Sequence, residues 1–437
     1  MRLVRRAVRL LPILVVWGIL AGGAAAALPA TAQPIAAPPD ATVEALFRRL
    51  ATIKGTPGAG PAPPLAIRSR QETRRFIDAE LARRYAPARL EAERKSMVAW
   101  GVLPPDFDLR RLFVDLMEEQ IAAYYDARAK TMVVGDWLGP DERAAALLHE
   151  LVHALQDRQV SLDAFLTPVE GEGDRVLARQ ALIEGEAVGV MFDVLLSASG
   201  RDLASLPDVN AIRGQIVAGS LEPVIQRAPP LLRDLLLFPY VEGLRFVHAW
   251  RKRNQWSAAA SLYRDPPRSS TQILHPEQYL DRRRDPVAIA LPSLDVQLPG
   301  FTPVIEDELG EFGLGAVLGL HLGDAAGRHA ATGWRGDRFR VWQEAGGRFA
   351  IVAVIVMDGA TEANALALHF TGMVDKRHPE LARRGVPRGG ALVTWTEAGR
   401  AFAVERRGVE VLLVEEAPAA TVDGIRAAVW RARPATP

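Results

Sequence analysis

Cysteine is absent from the 437 residues, and that absence removes several chemistries together. Disulfide scaffolds, thiolate zinc sites, thiol nucleophiles, iron–sulfur clusters and the acylated cysteine of a lipoprotein all need a sulfur that this chain does not have. A metal here must be held by histidine and carboxylate. An excess of charge of one sign is missing too: 53 basic against 52 acidic residues leave a formal charge of +1. No chain-wide electrostatic footprint for nucleic acid or an anionic membrane exists, so no nucleic-acid partner is expected. Beyond Leu28 no apolar run is long enough to span a bilayer; the stretch Leu231 to Trp250 is broken by Arg233, Asp234, Glu242 and Arg245. What the chain has in quantity is apolar side chain. At 49% hydrophobic residues it easily supplies a core, and wholesale disorder is ruled out.

The N-terminus reads as an address. Arg2, Arg5, Arg6 and Arg9 precede an apolar segment, Leu10 to Leu20, and Ala30-Thr31-Ala32 gives a small-residue cleavage pattern before Gln33. Residues 1–32 are therefore expected to be a signal peptide, or a membrane anchor if cleavage fails, and the protein to be exported to the periplasm or beyond. Residues 33–66 are rich in Ala, Pro and Gly with one helical pattern at Thr42 to Thr52, which reads as a loose linker with a short helix. Helical periodicity follows over 69–98 and 107–127, then a short strand Thr131-Met132-Val133-Val134. Helices are expected from Pro140 to about Arg158, from Asp174 to Ser197, and onward from Pro229-Pro230 with Pro239 as a kink. After Pro299 the texture changes to strands at 339–343, 349–357, 391–396, 401–405 and 409–414, with helices at 361–374 and 421–430. The fold class is α+β, with a mainly helical domain over 67–297 and a small accessory α+β domain over 298–437. That last domain holds His321, His329, His369 and His378 without a pair at ligand spacing.

The informative segment is His149-Glu150-Leu151-Val152-His153. Histidines four apart lie about 40° apart around a helix, so both imidazoles can grip one zinc ion while the intervening glutamate stands beside it as general base. With eight histidines in the chain, such a pattern arises by accident on the order of once per hundred sequences. Ala144, Leu147, Leu148, Leu151, Ala154 and Leu155 give the helix a buried back. Zinc needs a third protein ligand and an open position. An extended pattern with Gly and a third His is excluded, because Gln156 and Gln159 occupy those places. Glu184 on the next helix shares a stripe with Leu177, Ala181, Val188, Met191 and Leu195, and a lone inward carboxylate is costly unless paired or bound to metal. Its rival reading is a buried ion pair with an arginine, and Glu170, Glu172 and Asp174, in or beside the preceding loop, are weaker alternatives for the ligand. Glu186 falls opposite, with Arg175, Arg179 and Asp193, and is expected to be dispensable for the metal. Asp157, one turn after His153, is a candidate to orient a ligand imidazole.

The block His149 to Asp157 followed by Glu184-Gly185-Glu186-Ala187 resembles the gluzincin zinc metallopeptidases, in the variant whose third ligand opens a Glu-Gly-x-Ala motif, and looks closest to exported bacterial proteins of that class. The specific resemblance covers about residues 112 to 195. A looser one extends through Phe238-Pro239-Tyr240-Val241-Glu242-Gly243 and Leu274-His275-Pro276-Glu277-Gln278-Tyr279. It departs from the thermolysin-type pattern, with Ile183 where that pattern has Asn before the ligand Glu. The resemblance implies a zincin-like domain, one zinc ion per chain on His149, His153 and Glu184, and Glu150 as general base. It also implies an edge strand holding the substrate backbone, a place that Thr131, Met132, Val133 and Val134 fit, and a Tyr or His that stabilises the oxyanion, for which His275, Tyr279 and Tyr240 are candidates. The function expected is hydrolysis of peptide or protein substrates; the alternatives are a catalytically silent zincin-fold scaffold or binding protein in the envelope, and a zinc hydrolase of non-peptide amides.

Overall fold

The computed structural model describes residues 41–120, 123–219, 223–381 and 391–433. The segment read as an export signal lies outside them, as do residues 33–40. The fold is α+β, helical in its first part and ending in a sheet domain. Its helices of eight residues or more are α1 Ala41–Ile53, α2 Arg70–Arg84, α3 Pro87–Ala99, α4 Leu109–Gln120, α5 Pro140–Asp157, α6 Gly173–Ser197, α7 Asn210–Gly219, α8 Pro230–Arg251, α9 Gly310–Leu322, α10 Asp324–Ala331, α11 Ala360–Arg377 and α12 Val422–Ala432. Strands β1 Leu65–Arg68, β2 Ala123–Asp126 and β3 Thr131–Gly135 form one sheet. A second is built from β4 Phe301–Asp307, β5 Trp334–Glu344, β6 Phe349–Met357, β7 Leu392–Glu397, β8 Arg400–Arg407 and β9 Glu410–Pro418. Among the described residues no helix is long and apolar enough to cross a membrane.

The helical pattern expected at Thr42 to Thr52 is α1, and it is packed against the fold rather than loosely held. Val43, Leu46, Phe47 and Leu50 recur at helical spacing, and α1 docks that stripe on α5 and α6 with Phe47 and Leu50 wholly buried. Leu65–Arg68 is already a strand. α4 also stops earlier than the periodicity through residue 127 predicts. Ala123, Tyr124 and Tyr125 go on as β2, where aromatic side chains pack well on a pleated surface.

The small sheet runs β1-β3-β2, with β1 parallel and β2 antiparallel to β3. Thr131–Val134 therefore lies in the central strand, its hydrogen-bonding sides taken by β1 and β2 and Met132, Val133 and Val134 buried. The expectation that these residues form a substrate-holding edge is corrected: the edge strand beside α5 is β2. A short apolar run identifies a strand but not its neighbours, which here come from 65–68 and 123–126.

The second sheet is antiparallel throughout, in the order β4-β5-β6-β9-β8-β7. On β6, Ile351, Ala353, Ile355 and Met357 join the core shared with the helical part, while Ala350, Val352, Val354 and Val356 face a second core closed by α12 and by Ile289, Leu291, Leu294 and Leu298. Burial on both faces explains the unbroken apolar sequence. The sheet domain is packed onto the rest of the molecule, because Leu314, Val317 and Leu318 of α9 belong to the same core as α6. β4, α9 and α10 go beyond the expected elements. Glycine weakens the helical signal of α9, yet it is what lets α10 approach: a Cβ on Gly327 would lie 2.2 Å from the Gly315 carbonyl oxygen.

Candidate metal centre

α5 opens at Gly139-Pro140, where the Glu142 carboxylate accepts from the Gly139 N–H at 3.2 Å, and its later turns carry His149, Glu150 and His153 into the interior. α6 packs across α5 and brings Glu184 to both imidazoles. α8 closes the third side. A Cβ on Gly185 would lie 2.2 Å from the Gly243 carbonyl, and one on Gly243 would lie 2.1 Å from the Ala181 oxygen, so α6 and α8 touch backbone to backbone. Only glycine permits that crossing. It sets Tyr240, one turn before Gly243, with its ring 6.4 Å from that of His149.

His149, His153 and Glu184 converge on one point. His149 Nε2 and His153 Nε2 are 3.0 Å apart, and Glu184 Oε2 lies 3.2 Å from the first and 3.5 Å from the second. Zinc with bonds of about 2.0–2.1 Å at tetrahedral angles holds its ligand atoms about 3.3 Å apart, so the triangle has the size that one such ion needs. In the same buried region Glu150 Oε1 lacks a hydrogen-bond partner among the described residues, and the Tyr240 hydroxyl lies beside Glu184. Orphaned buried atoms are rare in folded proteins and mark places where a ligand, ion or water belongs. Two imidazoles, one carboxylate and no thiolate suit a zinc centre with an open position.

The electrostatics agree with a site that trades protons for a cation. Burial raises Glu184, but the charge of His153 and bonds from both imidazoles outweigh it and bring the carboxyl down to about 2. Burial lowers His153, yet the charge and hydrogen bond of Glu184, then the charge of Glu150, lift it to about 9. Without metal, the triad therefore holds a proton that a cation displaces. Glu150 is wholly buried and burial pushes it up to about 8, against the His153 charge and a 2.7 Å bond from the Tyr125 N–H to Oε2. Burial, helped by the Glu184 and Glu150 charges, pushes the Tyr240 hydroxyl well above the ordinary phenol range.

Several sequence expectations place differently. Glu186 does not face water: it is wholly buried, paired with Lys54 Nζ and bonded by the Tyr263 hydroxyl. Asp157 does not orient a ligand. It accepts from the Tyr125 hydroxyl at 2.9 Å, from the Leu162 N–H at 2.9 Å and from Lys130. Gln156 is the residue at His153, with Oε1 2.7 Å from Nδ1. The sequence does contain that signal, since a side chain three residues on shares the face of His153. Of the three oxyanion candidates only Tyr240 reaches the triad. His275 Nε2 is bonded to Glu311 at 2.8 Å, where α9 meets the helical part, and the Tyr279 hydroxyl donates to the Asp265 carbonyl at 2.6 Å.

A family model described as Domain of unknown function (DUF8575) matches residues 301–426, which takes in the second sheet and ends within α12. No curated protein matches the chain, and no solved structure does.

Proposed function

We propose that this chain is an exported zinc metallopeptidase of the gluzincin type, with His149, His153 and Glu184 as ligands of one zinc ion. The observation that carries the reading is the triangle of three donor atoms, 3.0, 3.2 and 3.5 Å on its sides, with an unpartnered carboxylate oxygen of Glu150 beside it. Zinc, when bound, supplies a Lewis acid that polarises the scissile carbonyl and eases deprotonation of the attacking water. Glu150 then takes that proton on Oε1 and returns it to the leaving amine, while its Oε2 stays fixed by the Tyr125 N–H. The Tyr240 hydroxyl, held beside Glu184, is the donor placed to meet the oxygen on which negative charge develops. The buried surroundings strengthen both interactions.

One observation favours a second reading, a silent metal-holding scaffold: His149, Glu150, His153, Glu184 and Tyr240 are all buried. Against it stands the donor count, because structural zinc sites are closed by four protein ligands and three are found among the described residues. Metal analysis combined with cleavage of a mixed peptide library tests the proposal. One equivalent of zinc with hydrolysis lost in Glu150→Gln supports the peptidase; zinc retained with no hydrolysis by the parent supports the scaffold.

A further inference from the structure

The hydrogen bonds behind His153 run in one direction, and they lead to the residue that follows α1. Gln156 Nε2 donates to the Ile183 carbonyl at 2.9 Å and to Glu186 Oε2 at 3.1 Å. Two acceptors at that end fix the amide, so its Oε1 is the atom that faces His153 Nδ1 at 2.7 Å. An acceptor there requires a hydrogen on Nδ1, which leaves the lone pair on Nε2, the atom that meets His149 and Glu184. Glu186 is itself surrounded by donors: Lys54 Nζ on Oε1, the Tyr263 hydroxyl and Gln156 on Oε2. Lys54 and Glu186 are wholly buried and paired with one another, so removing either leaves its partner buried without a counter-group.

We propose that Gln156 is the positioning residue that fixes His153 as an Nε2 metal ligand, and that the buried Lys54–Glu186 pair, with Tyr263, fixes Gln156 in turn. The proposal rests on the metal-site reading above. It gives the helix α1 a part in the centre, because Lys54 follows α1 directly and reaches Glu186 across 132 positions of sequence. It also separates the two carboxylates of the Glu184-Gly185-Glu186 segment by role: the first faces the metal, and the second orders the ligand histidine from behind. Partners of this kind commonly change metal affinity about 10–100-fold.

The test uses the full chain with metal alone as the probe: zinc affinity by competition with a chelator, and the visible spectrum of the cobalt(II)-loaded protein. Gln156→Met keeps the length and removes the acceptor; it is expected to weaken zinc about 10–100-fold and to shift the cobalt bands, with the metal-free protein still folded. Glu186→Leu is expected to weaken zinc in the same direction. Lys54→Met/Glu186→Gln removes both charges but keeps an oxygen to accept from Gln156 and Tyr263, and is expected to recover the parent's affinity. A double variant as weak as Glu186→Leu overturns the relay, since packing rather than the accepted hydrogen bond would then set the affinity. Imidazole nitrogen shifts of the zinc-loaded parent need no variant. They are expected to give a protonated Nδ1 and a metal-bound Nε2 for His153, and the reverse assignment overturns the proposal even if Gln156→Met does not fold. Zinc affinity and cobalt spectrum unchanged in Gln156→Met overturn the relay alone, whereas a parent that binds no zinc removes the metal site and the relay together.

Discussion

Replacing Glu150 by glutamine is expected to make the metal-free protein more stable while it destroys turnover. The carboxyl is wholly buried, one oxygen accepts from the Tyr125 N–H, and the other has no partner among the described residues. Burial lifts it from an ordinary 4.5 to about 8. In the unfolded chain it ionises near its ordinary value, so between these limits unfolding releases a proton and stability falls as pH rises, levelling off above about 8. At about 1.36 kcal/mol per unit, the interval from 4.5 to pH 7 amounts to roughly 3 kcal/mol lost to this one group. Glutamine does not titrate, and its amide oxygen can still accept from Tyr125. Chelator-treated parent and variant, unfolded in urea across pH 4 to 9, are therefore expected to start close together and to separate by about 3 kcal/mol at neutral pH, with the variant the more stable. Zinc loading is expected to narrow the gap, since a cation beside Glu150 favours its ionised form. Peptide hydrolysis is expected to fall about 10²- to 10⁴-fold in the same variant. A stability difference that does not change between pH 4 and 9, or a variant less stable than the parent, would refute the reasoning. A residue that costs stability where it sits fits a catalytic place better than a structural one.

Glu184→Ala is expected to lose stoichiometric zinc, read by metal analysis, because it removes one corner of the triangle. Gly185→Ala puts a Cβ 2.2 Å from the Gly243 carbonyl; the over-packing is expected to cost about 1–3 kcal/mol or more and to move Tyr240 off the triad, and a parent-like melting temperature would contradict the close crossing. Lys54→Met leaves the buried Glu186 carboxylate without its cation and is expected to lower stability by about 3–5 kcal/mol in urea unfolding. Fractionation of cells is expected to place the chain outside the cytoplasm; full-length protein soluble in the cytoplasm would contradict the export signal.

The HExxH helix is legible in the sequence because its geometry is local. Four residues on an α-helix bring two side chains to one face whatever the rest of the chain does, and α5 places His149 and His153 accordingly. The same rule turns Glu184 inward, since its neighbours at helical spacing are apolar. It misplaces Glu186, and the reason is physical. A stripe argument assumes that one face of the helix meets water, whereas α6 is enclosed nearly all round and its polar side chains are met by partners from distant segments. Lys54 and Tyr263 meet Glu186, and Trp256 and Arg251 meet Asp193.

Strand character is likewise local, so β3 is visible at Thr131–Val134, but its central place depends on the pairing with β1 and β2. Among the three aromatic and imidazole candidates for the oxyanion, sequence offers no ranking. Tyr240 is the one brought to the triad, through the Gly185–Gly243 contact, a backbone approach between two helices that no spacing rule anticipates. By itself the sequence determined which residues share a helix face, and so which two histidines and which glutamate turn inward toward one another. Only the tertiary structure decided which hydroxyl, amide and buried cation surround them, because burial and pairing are properties of contacts between chain segments and not of neighbours along the chain.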